Sequence, residues 1–193
     1  MTDAADLNRD TIVAFLADIF DRRGAEEYLG ERVTMAEHML QGATFAEQDG
    51  HSEAIIVAAL LHDIGHFTSE FPMEVNETVD RLHEEAGARI LDRFFPSLVT
   101  DCVRFHVAAK RYLCATDPAY FAELSPASVH SLNLQGGPMN ADEVAAFETN
   151  PNLADIVTVR KLDDAGKVPD METPDFAHFA PMIQRVVDGH LGA

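Results

Sequence analysis

Only two cysteines, Cys102 and Cys114, occur in the 193 residues. They stand in no metal or redox spacing, so reduced thiols in a cytoplasmic protein are expected. Cations are also scarce: 14 lysines and arginines face 33 acids, a net charge of −19. Nucleic-acid binding depends on cationic side chains displacing counterions from phosphates, and this balance argues against such a partner. No apolar run approaches the ~20 residues that span a bilayer. The acidic start, MTDAADLNRD, lacks the basic and then apolar stretches of a secretory leader. Neither a membrane role nor secretion is expected. Strand signals are nearly absent, and no repeat, low-complexity run or linker divides the chain. Folds of this length bury roughly 70% of the surface their unfolded chains expose, enough for one hydrophobic core without disulfides. The expectation is a single all-α domain over residues 1–193.

Helical signals recur from end to end. Residues 8–23 place Ile12, Phe15, Leu16, Ile19 and Phe20 on one face, with Gly24 as a stop. Thr34 and Glu37 make a capping box, which puts His38 in the first turns of a second helix. Ser52 opens a third, SEAIIVAALLHDIGHF, whose apolar character almost all round marks it as central and buried. A fourth is predicted over 78–95, ending before Pro96, and a fifth from about Ser97 through CVRFHVAAKRYL. Short helices start at Asp117, Ser125 and Asn140, LQGGPM is a turn, and another helix covers 152–165. The tail, 174–191, reads as helical with a kink at Pro181.

The chemistry sits where core should be. His62 and Asp63 fall in an apolar helix, where an unpaired polar group costs a few kcal/mol and a charge more. Metal coordination removes that cost. With His38, His83, His106 and Asp163 they form six N and O donors from five predicted helices. Imidazole with carboxylate suits iron, manganese, zinc or cobalt rather than magnesium or calcium. Six ligands exceed what one catalytic metal with open positions would use, so two metals are the natural count, and Asp63 is the best bridging candidate. A lone helical histidine is more often a surface or satisfied core residue, and His51, His130, His178 and His190, in polar, capping or tail contexts, are set aside on that ground. His66 follows His62 by four residues and Lys110 follows His106 by four, so each lies beside a donor. Either could face a substrate, although a solvated lysine and a helix-terminal histidine are the plainer readings. Ser128 and Ser131 form a hydroxyl pair near a helix start, where backbone N–H groups favour anions.

His38, the His62–Asp63 pair and Asp163 follow the H…HD…D pattern of the HD-domain superfamily, and His83 and His106 resemble its dinuclear branch of phosphohydrolases and a few diiron oxygenases. More narrowly, YLGERVTMAEHMLQGATFAEQDG, ALLHDIGH, HEEAGA, HVAAKRYL, LSPASVHSLNLQGGPM and VRKLDDAG resemble the small HD-domain phosphonate oxygenases of organophosphonate catabolism. That resemblance implies an all-α HD-domain bundle with a mixed-valence Fe(II)/Fe(III) pair in its core and O2 as cosubstrate. His38, His62, Asp63 and Asp163 would hold one iron; His83, His106 and bridging Asp63 the other. The ligand falls on Asp163 rather than adjacent Asp164 by the family pattern. Tyr28 and Glu31 match a lid, the tyrosine occupying an iron site until substrate displaces it and the glutamate meeting the substrate amine. His66, Lys110, Ser128 and Ser131 match the phosphonate-binding group, and Gln41 a residue near the substrate. Threonine is expected in place of Ser131 in some relatives, and either hydroxyl donates the same bond.

The implied partner is a small zwitterionic phosphonate, 1-hydroxy-2-aminoethylphosphonate or its trimethylated form, cleaved at the C–P bond to phosphate and glycine or glycine betaine. A quaternary ammonium would favour aromatic contacts from Tyr28, Tyr112 or Phe67. Two metals could instead activate water against a phosphate ester, as in an HD phosphohydrolase. The YLGE lid with the hydroxyl pair favours the oxygenases. A regulatory metal-binding module without turnover is disfavoured, because all six presumed ligands are present.

Overall fold

Helix α3, Glu53–Leu61, is apolar on every side because every side is covered: α2 (Met35–Gln48), α5 (Ser97–Thr116), α9 (Leu153–Ala165) and α10 (Phe176–Leu191) all pack against it. Residues 55–61 are buried throughout. The computed structural model describes residues 7–28, 30–70 and 83–192. Among them are six further helices: α1 (Ile12–Arg23), α4 (His83–Leu91), α6 (Pro118–Glu123), α7 (Pro126–Leu134), α8 (Ala141–Phe147) and a 3₁₀ segment, Ile64–Glu70. The sole β pairing among the described residues is an isolated bridge between Glu27 and Thr34. The protein is an all-α bundle. No described helix is long and apolar enough to cross a membrane.

The capping signals hold. Thr34 Oγ1 accepts from Glu37 N at 3.2 Å while Glu37 returns a bond to Thr34 N at 2.7 Å. Ser52, Asp117, Ser125 and Asn140 each accept from a first-turn N–H of α3, α6, α7 and α8, respectively. Two further orphan donors of α2 are met by the chain just before it: Met35 N bonds Glu26 O at 2.8 Å and Ala36 N bonds Gly24 O at 2.9 Å. Gly24 does stand at the end of α1, but in right-handed conformation. It is glycine for want of space, since a Cβ there would lie 2.4 Å from Phe20 O and 2.7 Å from the Ala36 Cβ.

Boundaries differ where local turns compete with the helix. Residues 8–11 form a hydrogen-bonded turn in which Asp10 N bonds Asn8 Oδ1 at 2.9 Å, so α1 starts at Ile12. Helix α4 stops at Leu91, four residues earlier than expected, and the expected start over 78–82 lies outside the described residues. LQGGPM is a turn from Gln135 onward; Gly136 and Gly137 both take positive φ, 98° and 73°, which side-chain-bearing residues rarely adopt. Helix α10 runs through Pro181. Both cysteines are free, and burial pushes the Cys102 thiol well up.

Thr34→Ala should cost about 1 kcal/mol through the lost cap, a fall of about 2–4 °C in the thermal midpoint of a chain this size. An unchanged melting curve by circular dichroism would show that the cap contributes nothing.

Candidate metal centre and substrate cavity

Helix α3 ends at Leu61 and His62 caps it, so His62 and Asp63 sit at the junction with the 3₁₀ segment rather than inside the helix. At this junction Asp63 divides its two oxygens. Oδ2 faces His62 Nε2 at 3.4 Å and His38 Nε2, from α2, at 3.5 Å. Oδ1 faces His106 Nε2, from α5, at 3.2 Å, His66 Nε2 at 3.7 Å and His83 Nε2, at the start of α4, at 4.0 Å. Asp163, on α9, closes the first group: its oxygens lie 3.4 Å from His38 Nε2 and 3.8 Å from His62 Nε2. Its neighbour Asp164 turns away to Tyr120 at 2.5 Å. The structure therefore brings together all six donors singled out in the sequence, and adds His66 to the second group.

These donors suit a metal. Ligands about 2.1 Å from one cation stand about 3.0 Å apart at an octahedral edge and about 3.4 Å apart at a tetrahedral one. The His38 and His62 Nε2 atoms are 3.0 Å apart. Each ring directs its other nitrogen to a backbone carbonyl at 2.8 Å: His38 Nδ1 to Gly166, His62 Nδ1 to Ala59, His106 Nδ1 to Val103. This arrangement fixes the Nδ1–H tautomer and turns the Nε2 lone pair inward, as metal-binding imidazoles require. The buried Asp163 Oδ1 has no hydrogen-bond partner, an acceptor left for a cation.

Close backbone approach sets the rings. A Cβ on Gly166 would come within 2.8 Å of His38 O and 3.3 Å of His38 Nδ1. Gly65 and Gly87 let the 3₁₀ segment and α4 meet backbone to backbone; a Cβ on Gly65 would lie 1.7 Å from His83 O. His66 and His83 consequently stack, with ring centroids 4.0 Å apart. His83 Nδ1 faces Glu84 at 3.2 Å.

Electrostatics follow from this crowding. Burial alone would raise the Asp63 carboxyl, but His62, His66, His106 and His38 hold it well below the usual range. Asp163 is likewise held down against burial, chiefly by Arg160, whose Nη1 lies 2.6 Å from it. Burial works against a charge on His38, yet Asp163 and Asp63 raise it to about 9. Burial, with His66 and His106 beside it, drives His83 well below the usual histidine range. A metal held by this group would compete with a proton for His38.

A cavity of about 680 Å³ opens on the donors and is lined by Tyr28, Glu31, His66, Lys110, Ser128 and Ser131 among others. Tyr28 stacks on His38 at 4.0 Å, and burial together with Asp63 and Asp163 raises its phenol well above the usual value. Ser125 donates to Glu31 at 2.6 Å. Lys110, buried, donates to Ser131 at 2.7 Å; burial and then Arg160 lower its ammonium to about 8.

Gln41 is placed outside the cavity lining, and two aromatic expectations need correction. The Gln41 amide bonds both backbone groups of Val168 at 2.9 Å, clamping the segment that carries Gly166. Phe67 is buried in the core under Arg23, and Tyr112 donates to Glu148, so neither ring reaches the cavity. Tyr28 does. Conversely, Arg160, Lys167 and His130 line the cavity without having been singled out. Arg160, on α9, and Lys167, just after it, flank Asp163 at i−3 and i+4, a spacing that the sequence already carried.

Buried imidazoles and carboxylates converging from five parts of a helical bundle define a metal-binding protein of the HD type. The HD domain family matches residues 35–123, which hold every donor but Asp163. Over 192 residues the chain is 70% identical to the glycine-betaine-forming 1-hydroxy-2-(trimethylamino)ethylphosphonate dioxygenase of Leisingera caerulea, covering 99% of this chain and 98% of that one. It is 40% identical over 165 residues to the hydroxymethylphosphonate dioxygenase of Gimesia maris, covering 84% and 82% of the two chains. An uncharacterized protein of Acanthamoeba polyphaga mimivirus is 32% identical over 169 residues, 83% of this chain and 73% of the other. The chain belongs to the HD-domain phosphonate dioxygenase family.

Two substitutions separate the donor groups. Asp63→Ala should strip metal from the protein, because each donor group loses an oxygen. Gly65→Ala, by displacing His83, should disturb the second donor group and spare the first. Metal analysis on variants of normal circular dichroism checks both; wild-type metal content in Asp63→Ala would contradict the part given to that carboxylate.

Proposed function

We propose that the protein uses O2 to cleave the C–P bond of 1-hydroxy-2-(trimethylamino)ethylphosphonate, giving glycine betaine and phosphate. The observation that carries this reading is the single cavity whose walls combine the divided carboxylate of Asp63 with the Lys110–Ser131 pair and Glu31. The identity of 70% with a dioxygenase named for that substrate supports the choice of a trimethylated amine. The balance closes: the substrate, with its phosphonate as the dianion, and O2 yield glycine betaine, hydrogen phosphate and one proton. The whole of residues 1–193 acts in this reading as one HD domain, with Asp163 on α9 completing the donors of the matched span.

In this reading His38, His62, Asp63 and Asp163 hold one iron and His83, His106 and Asp63 the other, in the Fe(II)/Fe(III) state. When bound, the pair supplies O2 activation and a Lewis-acidic seat for the C1 hydroxyl and a phosphonate oxygen. The chain's own groups do the rest. Lys110, Ser128, Ser131 and His66 bind the phosphonate as charge-assisted donors and fix its orientation. Glu31, released from Ser125, meets the ammonium, and the Tyr28 ring offers it a π face. Holding both ends sets C1 beside the metals, so that one hydrogen is presented to the oxidant. Arg160 keeps Asp163 ionised and oriented. The setting is cytoplasmic in this reading, consistent with two free thiols.

The direct test is turnover by iron-loaded protein: phosphate should appear one for one with O2 consumed, and none should form under nitrogen. Phosphate release that persists without oxygen would identify a hydrolase instead.

A pH profile follows from Lys110. Its ammonium, lowered to about 8 by burial, binds the phosphonate only while protonated. The value of kcat/KM, which reports the free enzyme, should therefore fall as pH rises through about 8. Lys110→Arg, which keeps its charge, should move that limb upward. Superimposable alkaline limbs would remove Lys110 from anion binding.

A further inference from the structure

Lys110 is not the only ammonium at the hydroxyl pair. Lys167, on the turn after α9, donates to Ser128 Oγ at 3.0 Å, as Lys110 does to Ser131 Oγ at 2.7 Å. Ser128 and Ser131 are one helical turn apart on α7, and Ser131 Oγ in turn donates to Ser128 O at 3.1 Å. The result is two parallel lysine–serine couples on one wall of the cavity, one cation reaching in from α5 and the other from beyond α9. The Lys167 side chain is 11% exposed and lies 3.4 Å from Asp164 and 4.0 Å from Asp163 Oδ1. These longer contacts leave its shortest bond to the serine.

A lone couple would suffice for a monoanion. A phosphonate head group carries two charges on three oxygens, and two ammoniums with two hydroxyls match it in both charge and donor number. We propose that Lys167 is a second substrate-binding cation, which with Lys110 selects a dianionic phosphonate over a monoanionic head group of the same shape. This inference rests on the phosphonate reading of the cavity. Lys167 sits one residue after Gly166, whose carbonyl fixes His38, so the anion site and the first donor group share one short stretch of chain.

The test uses metal-loaded protein without oxygen and two probes of equal shape, methylphosphonate and methanesulfonate, at a pH where the first is the dianion. Calorimetry should show wild-type preference for methylphosphonate. Lys167→Met should weaken methylphosphonate at least about tenfold and methanesulfonate far less, with metal content unchanged, and Lys167→Arg should restore most of the preference. Equal losses for both probes, wild-type affinity for both, or loss of metal along with the anion would overturn the proposal. Aerobic turnover separates the two claims. Wild-type protein that selects methylphosphonate through Lys167 yet releases no phosphate from the hydroxyphosphonate would sink the oxygenase reading alone. Normal turnover with an indifferent Lys167→Met would sink only this one.

Discussion

Two carboxylates and a ring of imidazoles are buried facing one another, and the rest of the bundle is arranged around that constraint. Asp63, Asp163, His38, His62 and His106 are each at most 3% exposed. Such groups lose several kcal/mol of hydration apiece and recover it only through excellent geometry or a cation. Ala59, Val103 and Gly166 supply the geometry, each offering a carbonyl to one imidazole. Gly65, Gly87 and Gly166 supply the approach by having no Cβ. The apolar wrapping of α3 then serves to hold its C-terminal junction still, which is where His62 and Asp63 emerge.

A net charge of −19 opposes an anion at long range, but the charge that matters at contact is local. Lys110, Lys167 and Arg160 are all drawn inward around one cavity, while many of the acids, such as Asp18, Glu26, Glu53 and Asp188, pair with arginines on the surface. Arg160 has a double part. It is buried against Asp163 and Asp164, and its charge also helps depress the Lys110 ammonium. The same cation therefore holds the Asp163 carboxyl down and lowers the Lys110 ammonium.

Much of this was legible in the sequence, and what was not has physical reasons. Caps at Thr34, Ser52, Asp117, Ser125 and Asn140 are local chemistry, and the helix starts they mark are where expected. The apolar continuity of α3 announced its central place. Its end did not, since a switch from α to 3₁₀ at His62 depends on the packing of Gly65 against Gly87, a contact between distant segments. Gln41 came only from the family resemblance, and its partner, Val168, lies far along the chain, so local sequence could not show what it holds. Phe67 and Tyr112 could not be told from cavity aromatics without knowing which helix face is covered. Arg160 and Lys167 read as ordinary surface charges until α9 is docked on α5, although their spacing from Asp163 was a usable sign.

The account stands or falls on Asp63 being shared. Anomalous diffraction at the iron edge, from crystals of the iron-loaded protein, tests this most directly. Two peaks about 3.5–4 Å apart, one against each oxygen of Asp63, are the expected result. A single peak, or a pair with Asp63 touching only one of them, would contradict it.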